Sequence, residues 1–265
     1  MPTRSDPWPP GTPCWVEAVT DDLATTIRFY SELLGWDVDA TPDATGRHYA
    51  TKNGHPVAAV MATTPQRPAV GWTTYIAGAD LAAGAAEVTR RGGRVVAEPT
   101  RFGDRGSAVV LADPAGAEFG IWQAGAQVGS TLYNEPGAYC WNDLHTADYD
   151  AAREFYASVF GYEYKEIGDG VHFAYSMFLV DGSGEGVGGM HRTGADEPPY
   201  WLTWFTVADT DTAVQAATEL GATVVIGPTD SPFGRMSLLL GTRQERFVLL
   251  DPRTVSDTLT DPTAR

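Results

Sequence analysis

Two halves of this chain carry the same residues in the same order, and that duplication restricts the fold more than any composition could. Pro10-Gly11-Thr12-Pro13-Cys14-Trp15 returns as Pro136-Gly137-Ala138-Tyr139-Cys140-Trp141, 126 residues on. At the same offset Glu17 meets Asp143, Thr20 meets Thr146, Phe29-Tyr30 meets Phe155-Tyr156, and Leu34-Gly35-Trp36 meets Phe160-Gly161-Tyr162. The offset then drifts by a few residues, as loop insertions produce. Val57 meets Val187, Trp72 meets Trp201, and Phe102-Gly103 meets Phe233-Gly234. A weaker repeat lies within each half: Asp22-Leu23-Ala24 resembles Asp80-Leu81-Ala82, and Gly35 matches Gly93.

Each unit therefore reads alike. Trp15 to Val19 alternates as a half-buried strand does. Asp22 stands where a helix N-cap belongs, Leu23, Ile27, Tyr30 and Leu34 form one apolar helical face, and Gly35 ends it. Strands follow near 46–51 and 56–62. The next unit predicts a strand over 71–77, a helix over 80–91 stopped at Gly92-Gly93, and strands near 94–97, 107–112 and 117–122. Asp113-Pro114-Ala115-Gly116 is a turn, with proline fixing one φ and glycine admitting a positive one. One helix among several strands gives βαβββ per unit, an α+β fold of curved mixed sheets. The expected organisation is a polar tail over 1–10, a first domain over 10–124, a linker over 125–135, a second domain over 136–251 and a polar tail over 252–265.

The 265 residues carry 18 basic and 34 acidic side chains, a net charge of −16. Such a balance opposes nucleic acid and anionic membrane surfaces, both of which recruit basic residues. No apolar run reaches the ~18 residues of a membrane helix, and the N-terminus lacks the apolar stretch of a signal peptide. The cytoplasm is the expected compartment. Cys14 and Cys140 are then free thiols, read as small apolar residues turned away from the tryptophan face.

Four βαβββ units in two fused halves resemble the vicinal oxygen chelate superfamily, which includes glyoxalase I, bleomycin-resistance proteins, fosfomycin-resistance enzymes and extradiol dioxygenases. The marks are Phe29-Tyr30 with Leu34-Gly35-Trp36, Gly92-Gly93 before a strand, and Asp113-Pro-Ala-Gly-Ala-Glu-Phe119, over about residues 10–250. The wording near Cys14 and Cys140, with Phe119-Gly-Ile-Trp-Gln123, is similar to an actinobacterial subgroup of glyoxalase-like proteins. The resemblance implies tandem glyoxalase-like domains, each a pair of βαβββ units, in a monomer or a homodimer. It also implies bowl-shaped sites whose metal ligands would fall at Trp15, Ala59, Thr73 and Gly120 in the first half, and at Trp141, Gly189, Thr203 and Val248 in the second. None of these side chains binds a divalent metal, so no metal or other cofactor is expected. The competing arrangement is a shifted set of Asp143, His145 and His191.

Glu17 and Asp143 are the candidate catalytic residues, carboxylates aimed into an apolar bowl where burial would raise the pKa. Their bland alternative is a structural acid paired with an arginine. Trp15, Trp72, Tyr75, Trp141, Trp201 and Trp204 are expected to line the bowls and bind flat or cationic ligands, though core packing also uses such residues. Arg105 and Arg235 follow Phe-Gly at the bowl rims and could clamp an anion or close a salt bridge; His145 and His191 complete the ligand-binding candidates. His48, His55 and His172 are assigned nothing. The leading expectation is metal-independent binding of an aromatic or polycyclic small molecule, such as an antibiotic or a pathway intermediate. A metal-free enzyme using Glu17 or Asp143 as acid or base stands second, and a metalloenzyme with the shifted set third.

Overall fold

The computed structural model describes residues 3–167, 174–180, 182 and 184–253; His172 and the end of the C-terminal tail lie outside them. Four βαβββ units follow one another. The first comprises β1 (Pro13–Thr20), α1 (Leu23–Leu34), β2 (Asp37–Val38), β3 (Arg47–Lys52) and β4 (His55–Ala62). The second comprises β5 (Gly71–Ala77), α2 (Leu81–Arg90), β6 (Arg94–Arg101), β7 (Gly106–Ala112) and β8 (Glu118–Ala124). The third comprises β9 (Tyr139–Thr146), α3 (Tyr149–Phe160), β10 (Glu163–Ile167), β11 (Tyr175–Leu179) and β12 (Gly186–Arg192). The fourth comprises β13 (Tyr200–Thr206), α4 (Thr210–Glu219), β14 (Thr223–Ser231), β15 (Gly234–Leu240) and β16 (Arg246–Asp251).

Local chemistry fixes the boundaries. The Asp22 carboxylate accepts from the Thr25 amide, and Gly35 adopts the left-handed conformation that ends α1 at φ 68°. Asp113 accepts from the amides of Gly116 and Ala117, setting the turn between β7 and β8. Each half forms one mixed eight-stranded sheet, ordered β2-β3-β4-β1-β5-β8-β7-β6 and β10-β11-β12-β9-β13-β16-β15-β14. Within a sheet, β1 runs parallel to β4 and antiparallel to β5, and β9 repeats this with β12 and β13.

The two sheets pack against each other, β5 of the first meeting β13 of the second, with α1 beside α4 and α2 beside α3. One apolar core joins Phe29, Tyr30 and Trp36 of the first unit to Phe205, Val214 and Phe247 of the fourth. The other joins Ile76, Phe119 and Ile121 of the second to Phe155, Tyr156 and Trp201 of the third. Both cores contain the same polar relay across the halves. The Trp72 indole donates to the Tyr30 hydroxyl (3.0 Å), which donates to Glu245 (2.9 Å). The Trp201 indole donates to the Tyr156 hydroxyl (3.2 Å), which donates to Asp113 (3.2 Å).

This corrects the placement of Trp72 and Trp201. They were expected on the bowl faces, but they lie one residue out of that phase and belong to the cores between the halves. The N-terminal segment was expected to bury little. Instead Arg4 pairs its backbone with Thr131, and the Trp8 ring packs edge-on against Tyr133. Among the described residues, no helix is long and apolar enough to cross a membrane.

Candidate functional site

This packing leaves two concave faces, and the chain treats them differently. The first is filled by its own side chains. Trp15, Tyr49, Tyr75, Phe102 and Trp122 form a buried cluster there. Glu17, 1% exposed, sits on the floor and is ion-paired with both Arg47 and Arg67. Tyr75 donates to the same carboxylate (2.9 Å), and Arg67 also reaches the Thr73 hydroxyl (2.5 Å). Burial alone would raise the pKa of Glu17, but the two guanidinium groups outweigh it and hold the carboxyl below its usual range. Arg47 lies 4.4 Å from the centre of the Phe102 ring, and Phe102 stacks on Trp122. Arg105 lies 4.0 Å from the centre of the Tyr49 ring and donates to Gln127. Glu17, Trp15, Tyr75 and Arg105 are thus parts of a closed cluster, and a neutralised, sealed Glu17 is a structural acid with its arginines.

The second concave face is open, with a cleft of about 1810 Å³, larger than the ~300–1,000 Å³ of common small-molecule sites. Trp141, Asp143 and His145 line it from β9, His191 from β12, Leu202 and Trp204 from β13, Tyr175 from β11 and Val248 from β16. It continues to the N-terminal segment and the linker, where Trp8, Pro13 and Tyr133 close one end. Phe233, the repeat partner of buried Phe102, is 37% exposed at the rim, beside the Tyr175 ring. Cys140, expected to face away, also borders the cleft, because the β9–β13 register shifts beside it. Arg235 turns outward and forms ion pairs with Asp211 and Asp230 (2.9 Å to the latter), so it does not rim the cleft.

Asp143 occupies the position of Glu17 but has different neighbours. Its Oδ1 accepts from the Trp141 indole (2.8 Å) and the Tyr175 hydroxyl (2.7 Å). Among the described residues no lysine or arginine pairs with it. Burial pushes its pKa up to about 6, and hydrogen-bond donors offset only part of that rise. The register explains the difference. Arg47 pairs with Met61 across β3–β4, and Tyr175 pairs with His191 across β11–β12, so Tyr175 stands where the first half has Arg47. Five residues before Trp201, where Arg67 precedes Trp72, stands Asp196.

Gly189 makes room for this exchange, since a Cβ there would overlap the Tyr175 hydroxyl. The buried Trp204 indole N–H has no acceptor at ordinary hydrogen-bond geometry, but it lies near enough to Asp143 to favour the ionised carboxylate. His145 and His191 are register partners, with ring centres 5.2 Å apart. Burial, then His191 and Arg246, push the His145 pKa down to about 3, and burial lowers that of His191. Both imidazoles are therefore neutral at physiological pH.

The metal that the fold resemblance implies does not fit these residues. The third position in the second half is Leu202, opposite Asp143, rather than Thr203, which faces the other sheet and donates to Asn142. Trp15, Ala59, Thr73 and Gly120, and Trp141, Gly189, Leu202 and Val248, supply no imidazole or carboxylate. The space before Gly120 is taken by the Tyr75 ring, and that before Gly189 by the Tyr175 hydroxyl. As for the shifted set of Asp143, His145 and His191, no three His, Cys, Asp or Glu side chains among the described residues form a metal-holding group.

Sequence reasoning missed Arg47, Arg67 and Tyr175. The exchange of Arg67 for Asp196 at one repeat position was a visible signal of the difference.

Comparison with known proteins agrees with the duplication. The model of the Glyoxalase/Bleomycin resistance protein/Dioxygenase superfamily matches residues 14–121 and 141–253. A candidate glyoxylase named CFP32, from Mycobacterium tuberculosis (strain CDC 1551 / Oshkosh), is 35% identical over 261 residues, covering 95% of this chain and 98% of that protein. The anthracycline biosynthesis protein DnrV of Streptomyces peucetius is 32% identical over 260 residues, covering 92% of this chain and 94% of its own. Among solved structures, the Mn(II)-bound glyoxalase from Novosphingobium aromaticivorans has a TM-score of 0.64 at 16% identity, over 93% of this chain and 86% of that one. The 2,3-dioxygenase LapB from Pseudomonas sp. KL28 has a TM-score of 0.64 at 14% identity, over 91% and 93%. At such identities the two structures speak for the fold alone.

Proposed function

The chain belongs to the glyoxalase/bleomycin resistance protein/dioxygenase superfamily, and from that premise we propose that its second concave face binds a planar aromatic or polycyclic small molecule without a metal. The observation that carries this reading is the asymmetry of the two faces. The first is plugged by Arg47, Arg67 and Phe102. The second keeps the same floor but leaves it open, lined by Trp141, Trp204, Tyr175 and Phe233. Indole and phenol rings offer flat apolar area with few polar groups, which suits stacked aromatic ligands. The relative named for anthracycline biosynthesis supports a polycyclic occupant. The metal-free part rests on the donor set described above. The reading takes the protein as cytoplasmic, monomeric or homodimeric, and directed at neither nucleic acid nor membranes.

Tryptophan fluorescence titrated with planar aromatic natural products tests it. Saturable quenching is expected, reduced in Trp141→Phe and Trp204→Phe. A folded protein that responds to none of them refutes the reading.

A second reading, a metal-free enzyme, is favoured by one observation. Burial raises the Asp143 pKa to about 6 inside the cleft, toward the range a general acid or base uses. Turnover lost in Asp143→Asn with affinity retained would select it. Glu17, neutralised in the filled face, has no part in either reading.

A further inference from the structure

The filled face is an internal template for the open one. In the first half, a floor carboxylate is satisfied by a hydroxyl from one side and by positive charge from above. Tyr75 supplies the hydroxyl, and Arg47 and Arg67 supply the charge. In the second half the carboxylate and a hydroxyl remain, but both cations are gone: Tyr175 replaces Arg47, and Asp196 holds the sequence position of Arg67. Asp143 Oδ1 takes both hydrogen bonds, from Trp141 and Tyr175. No hydrogen bond from the described residues reaches its Oδ2, the Trp204 N–H standing near the carboxylate without ordinary bonding geometry, and Asp143 lines the cleft.

We propose that the ligand of the second face carries a basic nitrogen, an ammonium or amidinium group, which Asp143 binds where the first face holds its own arginines. This rests on the reading that the cleft binds a planar small molecule, and it names the polar group which that molecule must present. Two further features fit a cation there. The Trp141 ring and the rim Phe233 give aromatic surface beside the carboxylate, as Phe102 does for Arg47. Arg4, Glu185 and Asp230 also line the cleft, but no charged side chain among the described residues acts on Asp143, and the titratable groups beside it carry no competing positive charge at neutral pH. They are Tyr175 of β11, His191 of β12, and His145 and Cys140 of β9, while β13 and β16 present Leu202, Trp204 and Val248. Burial holds both imidazoles neutral and pushes the Cys140 thiol up to about 12. An ammonium on Oδ2 would draw the Asp143 proton off, so binding should strengthen as pH rises through about 6.

One skeleton in three charge states tests this: 9-(aminomethyl)anthracene, 9-anthracenemethanol and 9-anthracenecarboxylate, titrated by calorimetry into the full chain. At about pH 7.5 the amine should bind on the order of tenfold or more tighter than the alcohol, as a desolvated charge pair allows, with the carboxylate weakest. The preference should shrink at about pH 5, where Asp143 is protonated, and vanish in Asp143→Asn. Tyr175→Arg, which restores the first face's arginine, should reject the amine and accept the carboxylate, and it keeps the test decisive should Asp143→Asn fail to fold. Equal binding of amine and alcohol overturns the proposal and leaves the planar-ligand reading standing, as does an amine preference that survives both variants. If none of the three binds to folded protein, the reading beneath it falls and the proposal falls with it.

Discussion

Replacing the same repeat position in the two halves should move stability in opposite directions. Asp143 is 2% exposed, and burial raises its pKa from an ordinary 3.8 to about 6. A carboxyl with a raised folded-state pKa contributes its full share to stability below its unfolded pKa. That share is lost as pH rises through the folded value. Two pH units at about 1.4 kcal/mol each make a cost of roughly 3 kcal/mol at pH 8 for keeping this group ionised. Asparagine carries no charge and can still accept from Trp141 and Tyr175 through its Oδ1. Asp143→Asn should therefore stabilise the unliganded protein by about 1–3 kcal/mol at pH 8 and by little at pH 4.5, the lower figure allowing for an amide that meets the Trp204 N–H. At roughly 2–4 °C per kcal/mol for a chain of this size, the melting temperature should rise by several degrees. Glu17→Gln should do the reverse. It leaves Arg47 and Arg67 buried without their carboxylate, a loss of about 3–5 kcal/mol for a broken buried pair. Thermal melts of both variants at the two pH values decide the matter. An Asp143→Asn variant that melts lower at pH 8, or gains equally at both pH values, would refute the charge accounting.

Three other substitutions probe separate parts of the structure. Gly189→Ala should push the Tyr175 hydroxyl off Asp143 and cost about 1–3 kcal/mol in chemical denaturation, with the Asp143 titration seen by NMR moving further up. Trp201→Phe should cost about 1–2 kcal/mol through its lost bond to Tyr156 and leave ligand quenching intact, whereas Trp204→Phe should spare stability and weaken ligand binding. Tyr30→Phe strips Glu245 of a donor and Trp72 of its acceptor; because burial already raises the Glu245 pKa, the loss of about 1–3 kcal/mol should grow as pH rises, which urea titrations at two pH values would show.

The architecture was legible because its signals are local and repeated. The Asp22 cap, the Gly35 stop and the Asp113 turn each act within a few residues, and the duplication doubled the evidence for them. Tryptophan orientation was not legible, for a physical reason. β5 is buried on both faces, so Trp72-Thr73-Thr74-Tyr75 shows no polar–apolar alternation to fix its phase. Trp72 and Trp201 were accordingly placed on the wrong side, while Trp15, Trp141 and Trp204 were placed on the concave side where they lie. The state of Glu17 depended on Arg47, thirty residues away on a strand whose register no motif announces, and on Arg67, which belongs to a loop where the repeat carries Asp196. Asp143 and Glu17 looked equivalent in sequence because what separates them, the presence of cations, lies in those non-local partners.

The relays through Tyr30 and Tyr156 also bear on what counts as a folding unit. The apolar face of α1 meets Phe205 and Phe247 of the other half as well as Trp36 and Trp72 of its own, and Tyr156 from the third unit finds its acceptor in the second. Either repeat, expressed alone, would keep its own helices on that side of its sheet but lose the half of the shared core that the other repeat supplies. The segment between β8 and β9 joins two lobes in sequence but one shared core in thermodynamic terms. Cutting it would leave a noncovalent complex, whereas deleting either lobe would expose an aromatic surface that only a second lobe can cover.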